Sequence, residues 1–221
     1  MTTLYLEKAK CAVCGKRVKY TAVSSTNAYE RPDLDARPSE MERSTMIFWI
    51  NACPSCGYSA PDLSWRVKGL SEIVRSDSYQ AQLNNPEFPE LANAFLCFSL
   101  IQEHTGNYSR AGWHSIYAAW ACDDYDNDGG AKKCRLKAVR LLQKARENGQ
   151  SLGKRIGVEE AILADLLRRS GQFELALKVC DEGLRKNPER IISDILRFQK
   201  VLIGRSDVAR HTVAEAIRED Q

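Results

Sequence analysis

The chain has 221 residues, 43% hydrophobic and 28% charged, the composition of a folded globular protein and not of a disordered one. Its formal charge of +3 is too small to give a global basic field for nucleic acid. No stretch approaches the roughly 20 apolar residues that cross a bilayer, and residues 1–10 lack the pattern of a signal peptide. A cytoplasmic location with no membrane partner is therefore expected.

Residues 1–60 read as a small β module. Leu4 and Leu6 alternate with Tyr5 and Glu7, and Val18, Tyr20 and Ala22 share one side of a second strand. Between them lies Cys11-x-x-Cys14-Gly15, matched later by Cys53-x-x-Cys56-Gly57. Each knuckle presents two thiolates to one cation, and together they supply the four soft sulfur ligands of a closed tetrahedral zinc site. The trailing glycines tolerate the positive φ that such a turn needs. One structural zinc held by Cys11, Cys14, Cys53 and Cys56 is the expected cofactor, and it would lower the formal charge by two. Redox use is the rival. A redox Cys-x-x-Cys, however, opens a helix in a βαβ setting, whereas both knuckles here follow strand-like runs. Catalytic zinc keeps an open position, and four thiolates leave none. A third strand is expected over Thr45–Ile50, leading into the second knuckle.

The long insertion 24–44 carries Asp33 and Asp35 bracketed by Arg31 and Arg37, with Pro32 and Pro38 restricting the backbone. The expectation is a loop folded back on itself through carboxylate to guanidinium bonds. The alternative gives Asp33 and Asp35 a metal or general acid and base role, as in a metal-dependent hydrolase.

The Cys-x-x-Cys-Gly knuckles, the run Asn27–Pro38 and the run Trp49–Tyr58 resemble a bacterial family of uncharacterised proteins. In that family a zinc-ribbon-like region precedes helices of tetratricopeptide type. The resemblance is specific over about residues 8 to 60 and looser over the helical remainder. It implies a metal role for Cys11, Cys14, Cys53 and Cys56 and implies no activity.

A helical connector is expected over 61–89. Val67, Leu70, Ile73 and Val74 have helical spacing, in one helix or two short ones, before the break at Asn84–Pro89. From residue 90 to 221 the reading is a tetratricopeptide-like helical domain. Its clearest repeat is Ala161–Pro188, with Gly171 at the turn and small Ala164 and Ala176 at the helix contact. A weaker copy places Gly106 at a turn, then Tyr108, Ala111 and Ala118. Helices over 190–203, with Ile191, Ile195, Phe198 and Leu202 on one face, and over 207–219, with Val208, Val213 and Ile217, form a last pair.

Trp113, Tyr117 and Trp120 share a helical face and read as core. Cys97, Cys122, Cys134 and Cys180 read as small buried hydrophobes. Asp124–Gly129 opens like a calcium loop, but Arg135 stands where the closing Glu belongs, so a solvated helix-capping loop is expected. The helix 131–146 carries Lys132, Lys133, Arg135, Lys137, Arg140, Lys144 and Arg146, with an apolar face of Leu136, Val139 and Leu142 joined by Ala138 and Ala145. His104 and His211 read as surface residues and His114 as packed among aromatics, none beside a metal-binding constellation.

These readings give an α+β, mostly α fold: a small β zinc ribbon followed by a tetratricopeptide-like helical-repeat domain. The function read from it is a zinc-binding scaffold with a protein or peptide partner. Two rivals stand beside it, a nucleic-acid-binding ribbon using helix 132–146 and a hydrolase using Asp33 and Asp35.

Overall fold

Period-two alternation builds the first pair of elements. Strands β1 (Thr3–Lys10) and β2 (Arg17–Ser25) form an antiparallel hairpin, with Lys10 opposite Arg17 at the closed end. The computed structural model describes residues 1–151, 153 and 155–218. Val18 and Tyr20 of β2 pack on the core, whereas Leu4 and Leu6 stay 45% and 59% exposed, so alternation on β1 does not mark an inward face.

The run Thr45–Ile50 is not a strand. Residues Arg43–Phe48 form a 3-10 helix, in which Thr45 N donates to Glu42 O and Trp49 Nε1 to Thr45 Oγ1. A strand needs a neighbouring edge for its backbone groups, and this segment satisfies them locally by i to i+3 bonds. Met46 and Ile50 are buried, with Ile47 turned outward. The second knuckle is then framed by two-residue strands, β3 (Asn51–Ala52) and β4 (Ser59–Ala60).

The connector is the two-helix alternative. Gly69, at φ 75°, opens α1 (Leu70–Arg75), and Ser76 Oγ accepts from Tyr79 N to cap α2 (Asp77–Leu83). Five long helices follow: α3 (Glu90–His104), α4 (Tyr108–Asp124), α5 (Asp128–Glu147), α6 (Val158–Arg169) and α7 (Phe173–Arg185). Gly106 and Gly171, both at φ 75°, end α3 and reverse the chain after α6, the positions expected from the sequence. α4 and α5 approach closely at Gly112, where an added Cβ would lie 2.2 Å from Leu142 Cδ2.

On α5 the buried face is Cys134, Ala138, Val139, Leu141, Leu142 and Ala145. Leu136, expected there, is 38% exposed. Trp120 is buried, but Trp113 and Tyr117 are only half-buried.

α8 (Arg190–Gly204) is as expected, but the predicted helix 207–219 is shortened to α9 (Val213–Arg218), and residue 219 lies outside the described residues. The cause is a capping box. Thr212 N donates to Glu215 Oε2 at 2.7 Å and Glu215 N to Thr212 Oγ1 at 3.3 Å, which fixes the helix start. Residues 207–212 are held outside the helix by two carbonyls, those of Asp207 and Ala209, that accept from Arg168 Nη1.

The fold is thus α+β and mostly α. One buried cluster runs from Cys11, Cys53 and Tyr58 through Phe95, Phe98 and Leu166 to Ala216. Among the described residues, no helix is long and apolar enough to cross a membrane.

Candidate metal centre

The two knuckles are built alike. Cys11 N donates to Lys16 O at 2.9 Å and Cys53 N to Tyr58 O at 2.8 Å, in each case across five residues. Gly15 N and Gly57 N each return to their first cysteine's carbonyl at 2.9 Å, with φ of 73° and 72°. Those positive φ values are the local reason for glycine after each pair. The fold sets the knuckles face to face, with Cys11 Sγ 3.7 Å from Cys56 Sγ and Cys14 Sγ 3.7 Å from Cys53 Sγ. All four sulfurs lie within 4.8 Å of one another and could bind a metal ion.

These distances test the ligand chemistry. Disulfide sulfurs stand about 2.0 Å apart, so these are four separate thiols. A tetrahedral ion with metal–sulfur bonds of about 2.3 Å requires sulfur–sulfur edges of about 3.8 Å. The observed edges fit such an ion.

Cys11 and Cys53 are buried, Cys56 is half-buried and Cys14 is exposed. Burial pushes the Cys11 and Cys56 thiols up, while the Lys16 backbone N–H brings Cys14 down to about 7. A thiolate forms more readily at Cys14 than at Cys11 or Cys56, and ionising those two calls for a cation beside them.

The knuckles rest on the connector. Ala12 N donates to Leu63 O, Tyr58 Oη to Trp65 O, and Tyr79 Oη to Gly57 O, while Ser59 N donates to Tyr79 Oη. Leu83 fills the space that a Gly57 side chain would need, with Cδ2 2.2 Å from that Cβ position. α2 therefore packs directly beneath the second knuckle.

With this geometry in hand, the chain can be set beside known proteins. The family described as "Uncharacterized protein conserved in bacteria" (DUF2225) matches residues 4–220. The chain belongs to this family. The match extends well past the stretch 8–60 that carries the specific motifs, across the whole helical part. No curated protein and no solved structure matches.

The other sequence candidates are placed differently from the DUF2225 cysteines. The insertion 24–44 folds back through one pair of its own charges, Asp33 with Arg43, while Arg37 and Asp35 find their charged partners elsewhere in the chain. Arg37 reaches Asp124 at 2.6 Å, Asp33 accepts from Arg43 at 2.7 Å, and Asp35 accepts from Trp120 Nε1 at 2.8 Å and from Arg169 at 3.3 Å. Arg31 is exposed. The loop also docks on the ends of α4 and α6 and on the segment before α9, where Leu34 N donates to His211 O and Val213 N to Pro32 O. Asp33 and Asp35 are 3% and 1% exposed and committed to these donors. Burial raises the Asp33 carboxyl against the opposing pull of Arg43. Among the described residues, no thiol, imidazole and carboxylate group of three or more besides the four cysteines has metal-holding geometry.

The Asp124–Gly129 turn is the exposed, helix-capping acidic loop expected, with Asp124, Asp126 and Asp128 all open to solvent and Asp128 in the first turn of α5. Asp124 is taken by Arg37, and Asp123, just before it, by Arg135 and Arg169. Arg135, at the position where calcium chemistry needs Glu, brings a guanidinium instead. Asn127 is the residue that caps α5, through Gly130 N at 2.8 Å.

The basic side chains of α5 are largely engaged as well. Lys133 pairs with Glu87, Arg140 with Glu103, and Arg146 with Glu159 and Glu160; Lys144 stands over the Tyr108 ring. His114 packs between Phe98 and Tyr117 as expected. His211 does have carboxylate neighbours, Asp207 at 3.0 Å and Glu215 at 3.1 Å, each four residues away.

Sequence reasoning missed Asp123 and Arg169 in the buried ionic cluster. Nothing local marks either residue, because their partners lie as far as 134 positions away.

Proposed function

We propose that this protein is a zinc-stabilised scaffold for protein association and not an enzyme. One observation carries the reading: four thiols from two matched knuckles meet at the edge lengths of a tetrahedral thiolate site. Cys11, Cys14, Cys53 and Cys56 would hold one ion. Bound zinc would supply a redox-inert cross-link with no open position for substrate, fixing the hairpin and the second knuckle to α2.

In this reading 1–60 is a zinc-ribbon-like unit with the inserted loop 24–44, 61–89 a helical connector, and 90–221 a tetratricopeptide-like body in the cytoplasm. The α6–α7 pair supports the repeat assignment, with Gly171 at the turn and buried Ala164 and Ala176. Exposed Leu4, Tyr5 and Leu6 on β1 support contact with a protein or peptide partner. The nucleic-acid reading loses support from the engaged cations of α5, and the hydrolase reading from the committed carboxylates of Asp33 and Asp35.

Elemental analysis of protein purified without added metal is the test. Zinc near one per chain, lost together with thermal stability on chelation, is the expected result. Iron at that stoichiometry would replace zinc in the reading, and folded protein free of metal would end it.

A further inference from the structure

Lined by none of the four clustered cysteines, a cavity of ≈ 380 Å³ has four aromatic rings in its walls. Trp113, Tyr117 and Trp120 line it from α4, and Trp49 from the turn after the 3-10 helix. The rings stand at angles to one another: Trp49 is 5.4 Å from Tyr117 at 74°, and Trp113 is 6.0 Å from Tyr117 at 38°. Such a cup offers several electron-rich faces to one guest. Pro32 and Pro38 of the inserted loop form the facing wall and limit that wall's freedom to collapse.

The remaining lining is small residues, Ala28, Ala36 and Ser39, and two acidic ones. Glu30 and Glu42 border the cavity, and among the described residues neither makes an ion pair. Burial raises the Tyr117 phenol, the charge of Arg110 opposes that rise and the Glu42 carboxylate adds to it by less, so the ring feels charges of both signs. The protein already sets one cation against this cluster, with Arg37 Cζ 6.0 Å from the Trp120 centroid.

We propose that this cavity binds an organic cation of the quaternary ammonium class. Quaternary nitrogen suits the cup better than an N–H cation does. The indole N–H groups of Trp49 and Trp120 are spent on Thr45 and Asp35 and are donors in any case, so of the four rings only the Tyr117 hydroxyl can accept from an ammonium or guanidinium N–H. A trimethylammonium group brings no donors to satisfy and meets ring faces and carboxylates instead.

The test is a titration of the full chain with choline, read by tryptophan fluorescence at constant ionic strength. The uncharged tert-butyl isostere of choline serves as comparison. Choline should give a saturable change, with the isostere at least about tenfold weaker. Glu42→Gln should weaken choline by several-fold, and Trp113→Ala should abolish the response. Trp113→Phe keeps a ring in place and should retain weakened binding, which separates ligand loss from misfolding. Absence of saturation, equal binding of the isostere, or full binding by both Trp113→Ala and Glu42→Gln would overturn the proposal.

Discussion

At the scale of single residues, Asp35 shows what a buried carboxylate does when the donors around it are fixed. It is 1% exposed and holds both Trp120 Nε1 and Arg169. Replacing it with Ala leaves a guanidinium that is only 9% exposed without that partner, so Asp35→Ala should cost about 3–5 kcal/mol in urea denaturation, and Asp35→Asn distinctly less. His114 sets a pH limit. Burial holds its ring down to about 4, so below its ordinary value of 6.5 the unfolded chain binds a proton that the folded ring refuses. The stability tied to the neutral ring is complete above about pH 6.5 and is lost as pH falls toward 4, on the order of 3 kcal/mol. His114→Asn should flatten that part of the pH profile while wild type keeps it. Of the four cysteines, exposed Cys14 tests ligation most cleanly: Cys14→Ser should strip the metal in elemental analysis while disturbing packing least. The cysteines could be read from sequence because their chemistry is written in local spacing. Asp35 could not be assigned a role, because its meaning depends on residues far away in the chain.

At the scale of elements, spacing located the helices well and failed where a tertiary partner decided the outcome. The turns at Gly106 and Gly171 were legible because a positive φ selects glycine locally. The segment Thr45–Ile50 was misread because strand-forming residue types say nothing about whether an edge is within reach. The start of α9 was legible in principle, since Thr212 and Glu215 have capping-box spacing, but the apolar pattern of Val208, Val213 and Ile217 masked it. Helix contact yields a sharp expectation at Gly112. Alanine favours a helix over glycine by about 1 kcal/mol, yet its Cβ would meet the fully buried Leu142 at 2.2 Å. Overpacking of that kind costs about 1–3 kcal/mol, so Gly112→Ala should lower the melting temperature despite the propensity gain.

At the scale of the molecule, the four-cysteine cluster and the helical body share one buried core through Tyr58, Tyr79 and the connector. Chelation should therefore act at two levels. Limited proteolysis should open the first 60 or so residues, far-ultraviolet circular dichroism should keep most of its helical signal, and the melting temperature should fall. Retention of protease resistance after complete metal removal would show that packing alone holds the hairpin. The docked insertion has a further consequence, for the order in which the protein is made. Asp35 and Arg169 are separated by 134 positions, and synthesis at roughly 5–20 residues per second spends about 7–27 s between them. The segment around His211 and Val213, which grips Pro32 and Leu34, is translated later still. Until Trp120 and Asp124 are made the emerging loop has no helix to rest on, and its contacts are completed only once Arg169 and then the segment around His211 and Val213 have followed.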